Sequence, residues 1–284
     1  MKYIDVSEHQ GLIDWEKVKG NVDGVILRAG YGSKGTADKR FQRNAAECNR
    51  LGIPFGAYWF SYAKSEEEAK TEAKHLLAAV KPYRVELPLA FDLEYDTVAN
   101  MERAGVKPTK KLCSGMVHAF CKMVEAAGYW ALNYANPDFL ARYFDEEVAS
   151  RYGLWLAQWP NKVDVKNPPR PCAIWQWGGS KVPGINGNVD TDECYQDFRK
   201  IIAEFGMNNL KPAYTEDDGS VTWEFTQAQP QKPWYADAMT WMTAQGLYTE
   251  ERPNDPVTRA ELATVLYRIY GPQDEKKDSG LLSE

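Results

Sequence analysis

Histidine is scarce in this chain, and cysteine shows no pairing pattern. Three histidines (His9, His75 and His118) stand far apart with no ligand spacing. A zinc site therefore has no support, and neither a metal nor another cofactor is expected. Five cysteines, at 48, 113, 121, 172 and 194, form an odd set without a CxxC pair. Cys113 and Cys121 fall in one predicted helix, about 12 Å apart along its axis, which is too far for a disulfide. Reduced, buried thiols in a reducing compartment are expected. No segment reaches the roughly 20 apolar residues of a membrane span. The start, Met1-Lys2-Tyr3-Ile4-Asp5, turns polar before a signal-peptide core could form. No membrane partner is expected. Positive charge is in deficit too: 34 Lys and Arg against 40 Asp and Glu leave −6, which argues against nucleic acid as the main partner.

Apolar and aromatic residues are plentiful. The 284 residues are 44% hydrophobic and 13% aromatic, enough for one large core and a smaller domain. Short apolar runs alternate with helical patterns up to about residue 205. Strands are expected at Tyr3–Val6, Val25–Arg28, Phe55–Phe60, Leu87–Leu93, Tyr129–Tyr134, Leu154–Ala157 and Ala173–Trp177. Helices are expected from about Phe41 to Leu51, stopped by Gly52, and from Ser65 with a capping box to Glu68. A third runs from Thr109 to a stop at Gly128. Repeated strand–helix units argue for a parallel sheet, and seven or eight strands for a closed barrel. Helices shorten or vanish after Pro137. The expected fold is thus α/β: an irregular (β/α) barrel with fewer than eight helices, similar to a TIM barrel.

In such a barrel, function gathers at the C-terminal ends of the strands. There the sequence reads Phe91-Asp92-Leu93-Glu94-Tyr95-Asp96, entered through Leu87-Pro88-Leu89-Ala90. On a strand, Asp92 and Glu94 would share a face. Carboxylates are costly to desolvate, so stability alone does not explain two at the end of an apolar strand. A Glu crowded by other carboxylates keeps its proton toward neutral pH, as an acid for glycosidic cleavage requires. Strand positions i and i+2 lie about 6.6–7 Å apart at Cα. Retaining pairs want about 5–5.5 Å between carboxyls and inverting pairs about 6.5–9.5 Å, so spacing does not choose between them. Where the substrate is a 2-acetamido sugar, attack by its own acetamido group, with Asp92 orienting it and Glu94 as acid, is a third route and the one favoured.

Three further segments stand out: Asp5-Val6-Ser7-Glu8-His9-Gln10-Gly11 with Ile13-Asp14-Trp15; Gly56-Ala57-Tyr58-Trp59-Phe60; and Trp175-Gln176-Trp177 followed by Gly184 through Asp190. With Phe91-Asp92-Leu93-Glu94 they resemble, in order, glycoside hydrolase family 25, the Chalaropsis-type lysozymes found in many phage endolysins. The resemblance covers residues 1 to about 205. It implies cleavage of peptidoglycan between N-acetylmuramic acid and N-acetylglucosamine. It also implies Glu94 as general acid, Asp92 as its partner, and Asp5 and Asp190 as the other acids of the cleft. Where the family usually has His-Trp, this chain has Glu8-His9. Tyr58, Trp59, Tyr134, Gln176 and Trp177, at strand ends, are candidates for substrate binding. The rival readings are a chitinase-like glycosidase and an inactive cell-wall carbohydrate-binding protein.

Residues 206–232 carry linker signals (Asn208-Asn209, Lys211-Pro212, Asp217-Asp218-Gly219) and one possible strand at Ser220–Phe225. Residues 233–271 predict two amphipathic helices and resemble a single S-layer homology repeat. Such repeats bind secondary cell-wall polymers, and Arg259 in Thr258-Arg259-Ala260-Glu261 is the candidate contact. Apolar faces on so small a module also suit a homo-oligomer. Residues 272–284 read as a charged, disordered tail. The expected setting is a protein made in a host cytoplasm without a leader and acting on the bacterial wall after release. Secretion with a leader removed is the alternative.

Overall fold

The computed structural model describes residues 1–211 and the pair 224–225. The expected helical module (233–271), its Arg259, the tail (272–284) and most of the expected linker lie outside the described residues. Strands β1 (Lys2–Val6), β2 (Gly24–Tyr31), β3 (Thr36–Ala37), β4 (Phe55–Phe60) and β5 (Leu89–Asp92) open the chain's main sheet. β6 (Ala131–Ala135), β7 (Gly153–Ala157), β8 (Ile174–Ser180) and β9 (Val189–Cys194) complete it. The order β1-β9-β8-β7-β6-β5-β4-β2, with β1 also paired to β2, closes eight strands into a barrel, and β3 is a short appendage on β2.

The barrel is mixed rather than all parallel. β9, absent from the sequence-based set of strands, runs antiparallel to both β8 and β1 and forms the closing seam. Its inner face is Asp190, Asp192 and Cys194, so the apolar alternation that marks a strand is missing there. The three helices expected from sequence all form, and others join them. α1 (Trp15–Val18) is a single turn, and α2 (Phe41–Leu51) ends at Gly52, which adopts the left-handed conformation (φ 69°). α3 (Glu66–Val80) is capped by Ser65, whose hydroxyl accepts from the Glu68 N–H. α4 (Tyr95–Arg103) follows β5 directly, and α5 (Lys110–Ala126) is capped by Thr109 and carries both Cys113 and Cys121. After them, α6 (Pro137–Arg142) and α7 (Glu146–Arg151) are short, and the connections from β7 to β8 and from β8 to β9 hold no helix.

Period-two alternation sorts the strand residues into two cores. Ile4, Val6, Leu27, Phe55, Ala57, Phe91 and Leu156 face outward into the layer beneath the helices. Tyr3, Ile26, Ala90, Leu132, Trp155 and Ile174 fill the barrel itself. The barrel's lower end is closed by α8 (Phe198–Glu204) and the residues after it, with Phe198, Ile202, Met207 and Leu210 in the inner core. Asn208, a linker signal in the sequence, is fully buried here. Its side chain accepts from Trp130 N–H (2.8 Å) and donates to the Val85 and Leu87 carbonyls (3.2 and 2.9 Å). The barrel unit therefore extends past residue 205, and β10 (Leu210–Lys211) pairs with β11 (Glu224–Phe225).

A second polar cluster holds the turn after β5. Ser61 N–H donates to the Asp92 carbonyl (2.8 Å), and the Thr97 hydroxyl donates to the Ser61 carbonyl (2.6 Å). Glu94 N–H donates in turn to Thr97 Oγ1 (3.2 Å). Beneath them Glu72, fully buried on α3, accepts from Tyr62 N–H (2.9 Å) and from the Ser61 hydroxyl. Burial pushes its carboxyl up to about 7, against these hydrogen bonds.

Two expectations follow. Asn208→Ala strands three buried backbone groups and should cost about 2–4 kcal/mol in urea denaturation. Glu72 binds its proton more tightly in the folded chain than in the unfolded one. Its contribution is thus present below the ordinary Glu range and lost as pH rises through about 7. Between pH 5 and pH 8 the wild type should lose about 1–3 kcal/mol more than Glu72→Gln; equal losses would assign the pH dependence elsewhere.

Candidate active site

The upper ends of the strands surround a cavity of about 230 Å3. It is lined by Asp5 on β1, Arg28 on β2, Tyr58 and Phe60 on β4, and Asp92 on β5. Glu94 after β5, Tyr134 on β6, Trp155 on β7, Gln176 on β8 and Asp190 on β9 complete its wall, with Ser7, His9 and Gln10 at one side. All four acids singled out from the sequence converge on it. Asp92 and Glu94 share the inward face as expected, with Leu93 turned to the outer core, although Glu94 lies past the end of the strand. β5 ends at Asp92, and Glu94 is the extended residue (φ −127°, ψ −171°) that caps α4. The extended backbone thus continues past β5, and the turn is held by Ser61 and Thr97.

Asp5 and Asp190 are cross-strand partners on β1 and β9, so pairing itself brings their carboxyls together. Gln176 organises the wall between them and Tyr134. Its amide nitrogen donates to Asp5 Oδ2 (2.8 Å), and its oxygen accepts from the Tyr134 hydroxyl (3.1 Å). Tyr134 also hydrogen-bonds Glu94. Trp155 Nε1 donates to Asp192 Oδ1 (2.7 Å), deeper on β9, and the other Asp192 oxygen faces Asp5.

Burial is the leading cause that raises every carboxyl in this cluster. Asp5 stands well above its ordinary range, with Asp192, Asp190 and Glu94 adding to the rise and Gln176 opposing it. Asp92 is likewise raised by burial, then by Glu94 and Asp5, against Arg28. Glu94, half-buried, is raised by burial; the Tyr134 hydroxyl offsets part of this, and Asp96 and Asp190 add to it. Asp190 and Asp192 are raised by burial as well. Within this cluster, Asp192 Oδ2, deeper on β9, and Asp92 Oδ1 are buried without a hydrogen-bond partner among the described residues. The site thus holds a protonatable carboxyl beside an unspent buried acceptor, a combination suited to acid-assisted cleavage of a bond next to an N–H donor.

Not every expected residue is here. Tyr58, Tyr134 and Gln176 line the cavity, but Trp59 and Trp177 do not. Each is one residue from an inward neighbour and so points outward. Trp59 stacks on His75 of α3 (5.8 Å between ring centroids), and Trp177 packs partly buried against the outer core. Trp155, Phe60 and Arg28 face inward by the same alternation and were missed, as was Asp192 on the unrecognised β9. Arg28 is held by Asp38 (2.9 Å) and Glu8 (3.4 Å), so the Glu8 that departs from the usual motif supports a residue of the cleft without lining the cavity itself. Among the described residues no group of His, Cys, Asp and Glu has the arrangement of a metal site.

No curated protein sequence matches the chain. Among solved structures it is similar to the modular autolysin LytC from Streptococcus pneumoniae in complex with a synthetic peptidoglycan ligand. That likeness is 30% identity and TM-score 0.57, over 67% of this chain and 46% of the autolysin, so the chain spans less than half of that relative's length. A family 25 glycosyl hydrolase from Bacillus anthracis shares the fold at 22% identity and TM-score 0.58, over 71% and 92% of the two chains. So does the catalytic domain of an endolysin from a bacteriophage of Listeria monocytogenes, at 20% identity and TM-score 0.55 over 71% and 96%. The sequence model of glycosyl hydrolases family 25 matches residues 4–185, from the strand that carries Asp5 almost to Asp190. Spanning more than half of the sequence and all but one of the cleft's four acids, that match establishes that the chain belongs to glycosyl hydrolases family 25.

Proposed function

We propose that the protein is an N-acetylmuramidase that hydrolyses the β-1,4 bond between N-acetylmuramic acid and N-acetylglucosamine in peptidoglycan. The observation that carries this reading is the convergence of Asp5, Asp92, Glu94 and Asp190 on one cavity in a family 25 chain. Glu94, held protonated by burial and by Asp96 and Asp190, gives its proton to the leaving glycosidic oxygen. The acetamido carbonyl oxygen of the muramic residue attacks its own anomeric carbon as that bond breaks. Asp92 accepts the acetamido N–H through the free Oδ1 and so fixes the attacking group. Water then adds at the anomeric carbon, passes a proton to the Glu94 carboxylate and reopens the ring, giving net retention. Asp5, tied to Gln176, supplies negative charge beside the oxocarbenium-like centre.

The setting we propose is bacterial lysis. A phage or prophage endolysin, made in the host cytoplasm, would reach the wall after release. The C-terminal residues 233–271 would add binding to a secondary wall polymer through Arg259, or self-association.

Mass spectrometry of purified peptidoglycan tests the reaction and the acid together. Wild type should release fragments with reducing muramic ends, and Glu94→Gln should lower kcat by about 10²–10⁴-fold; reducing glucosamine ends would instead mean a glucosaminidase. NMR of the anomeric proton at first turnover should show retention, and an inverted product would exclude the acetamido route. Activity should fall on the alkaline side as Glu94 loses its proton. Because Asp190 helps to raise Glu94, Asp190→Asn should move that limb to lower pH in its residual activity; an unmoved limb would assign it to another group.

A further inference from the structure

Seven tryptophans lie among the described residues, and only Trp159 is exposed, at 60%. Trp15, Trp59, Trp155 and Trp175 are almost wholly buried, while Trp130 and Trp177 are partly covered. Trp159 begins the helix-free connection from β7 to β8, and its backbone is fixed at that point. Gln158 N–H donates to the Gln176 carbonyl (3.1 Å), and the Gln158 carbonyl accepts from Trp175 Nε1 (2.8 Å). Trp159 Nε1 itself donates to Gln176 Oε1 (3.2 Å), the same oxygen that accepts from Tyr134. The indole is therefore tethered by its polar edge to the residue that organises the cleft wall, while its apolar faces remain in water.

We propose that Trp159 is a saccharide-stacking platform at the edge of the cleft, taking the apolar face of an N-acetylhexosamine ring close to the scissile linkage. The proposal rests on the reading of the cavity as a glycosidase site. A β-linked pyranose presents a flat array of C–H groups that matches an indole face, and removing both surfaces from water is favourable. The ring is already held in place, so little side-chain entropy is lost when sugar arrives. Among the described residues the ring joins neither hydrophobic core, so packing there gives no reason for it to be large and aromatic. The N–H bond to Gln176 alone would need no exposed apolar surface.

Two variants of the full chain separate stacking from tethering. With solubilised peptidoglycan as substrate, Trp159→Ala should raise KM about 10-fold with kcat within about 2-fold of wild type. Trp159→Phe keeps an aromatic face but has no N–H, and should return KM to within about 3-fold. An unchanged KM in Trp159→Ala would overturn the platform. So would equal loss of kcat in both variants, because that would make the N–H bond to Gln176 the whole role. A second readout does not depend on turnover. In the Glu94→Gln protein, soluble chitotetraose should change the tryptophan fluorescence saturably, and the added Trp159→Phe substitution should abolish most of that change. A wild type that cleaves no peptidoglycan would sink the glycosidase reading, while this titration would still decide whether Trp159 meets sugar. Absence of any Trp159-dependent change would sink the platform.

Discussion

Desolvation of carboxyl groups at one end of a closed barrel is the constraint on which the rest of this site depends. Asp5, Asp92, Glu94, Asp190 and Asp192 crowd a space that also excludes water, and each is raised first by burial and not by any single neighbour. Five such groups cannot all carry charge there. The protein limits the cost with fixed donors: Gln176 to Asp5, Trp155 to Asp192, Tyr134 between Gln176 and Glu94. Arg28 adds one positive charge at the side wall, itself shared with Asp38 and Glu8. Among the described residues, Asp192 Oδ2 and Asp92 Oδ1 are buried oxygens of this cluster without a hydrogen-bond partner, and of the two residues only Asp92 lines the cavity. A barrel selected only for stability would have filled that position with an apolar side chain.

The position of Glu94 shows how far the scaffold reaches. Its side chain owes its place to a chain of backbone and side-chain bonds running from Glu72 through Ser61 and Thr97, none of which lines the cavity. Those residues sit on the loop after β4, on α3 and on α4, so three elements over-determine one turn. A loose turn would let the carboxyl swing out to solvent and lose the burial that raises its proton affinity.

Much of this was legible in the sequence, for reasons that can be named. Capping residues Ser65 and Thr109, the stop at Gly52 and the 3.6-residue periodicity marked α2, α3 and α5 because those signals are local. The acids Asp5, Asp92, Glu94 and Asp190 were legible because each sits in a short motif whose residue types make little sense as packing. β9 was not legible, since its inner face is acidic and its strand character comes only from pairing with β1 and β8. Asn208 read as a linker because polar residues usually mark one, and only the barrel's lower end supplies the three backbone groups that bury it. Trp59 and Trp177 were assigned to the cleft, where strand parity puts Tyr58 and Gln176 instead. A single residue of phase turns a platform into core.

Sequence by itself determined seven of the eight barrel strands, the ends of α2, α3 and α5, and the four acids that line the cavity, because propensity, capping and motif spacing act over a few residues. Tertiary structure alone decided which side chains share the cavity, since that depends on closure of the sheet by an antiparallel strand and on which face each strand turns inward. It decided, too, that Glu94 lies just past the strand, as the extended residue before α4. And it left Trp159 as the exposed indole beside the cleft, through contacts between residues far apart in the chain.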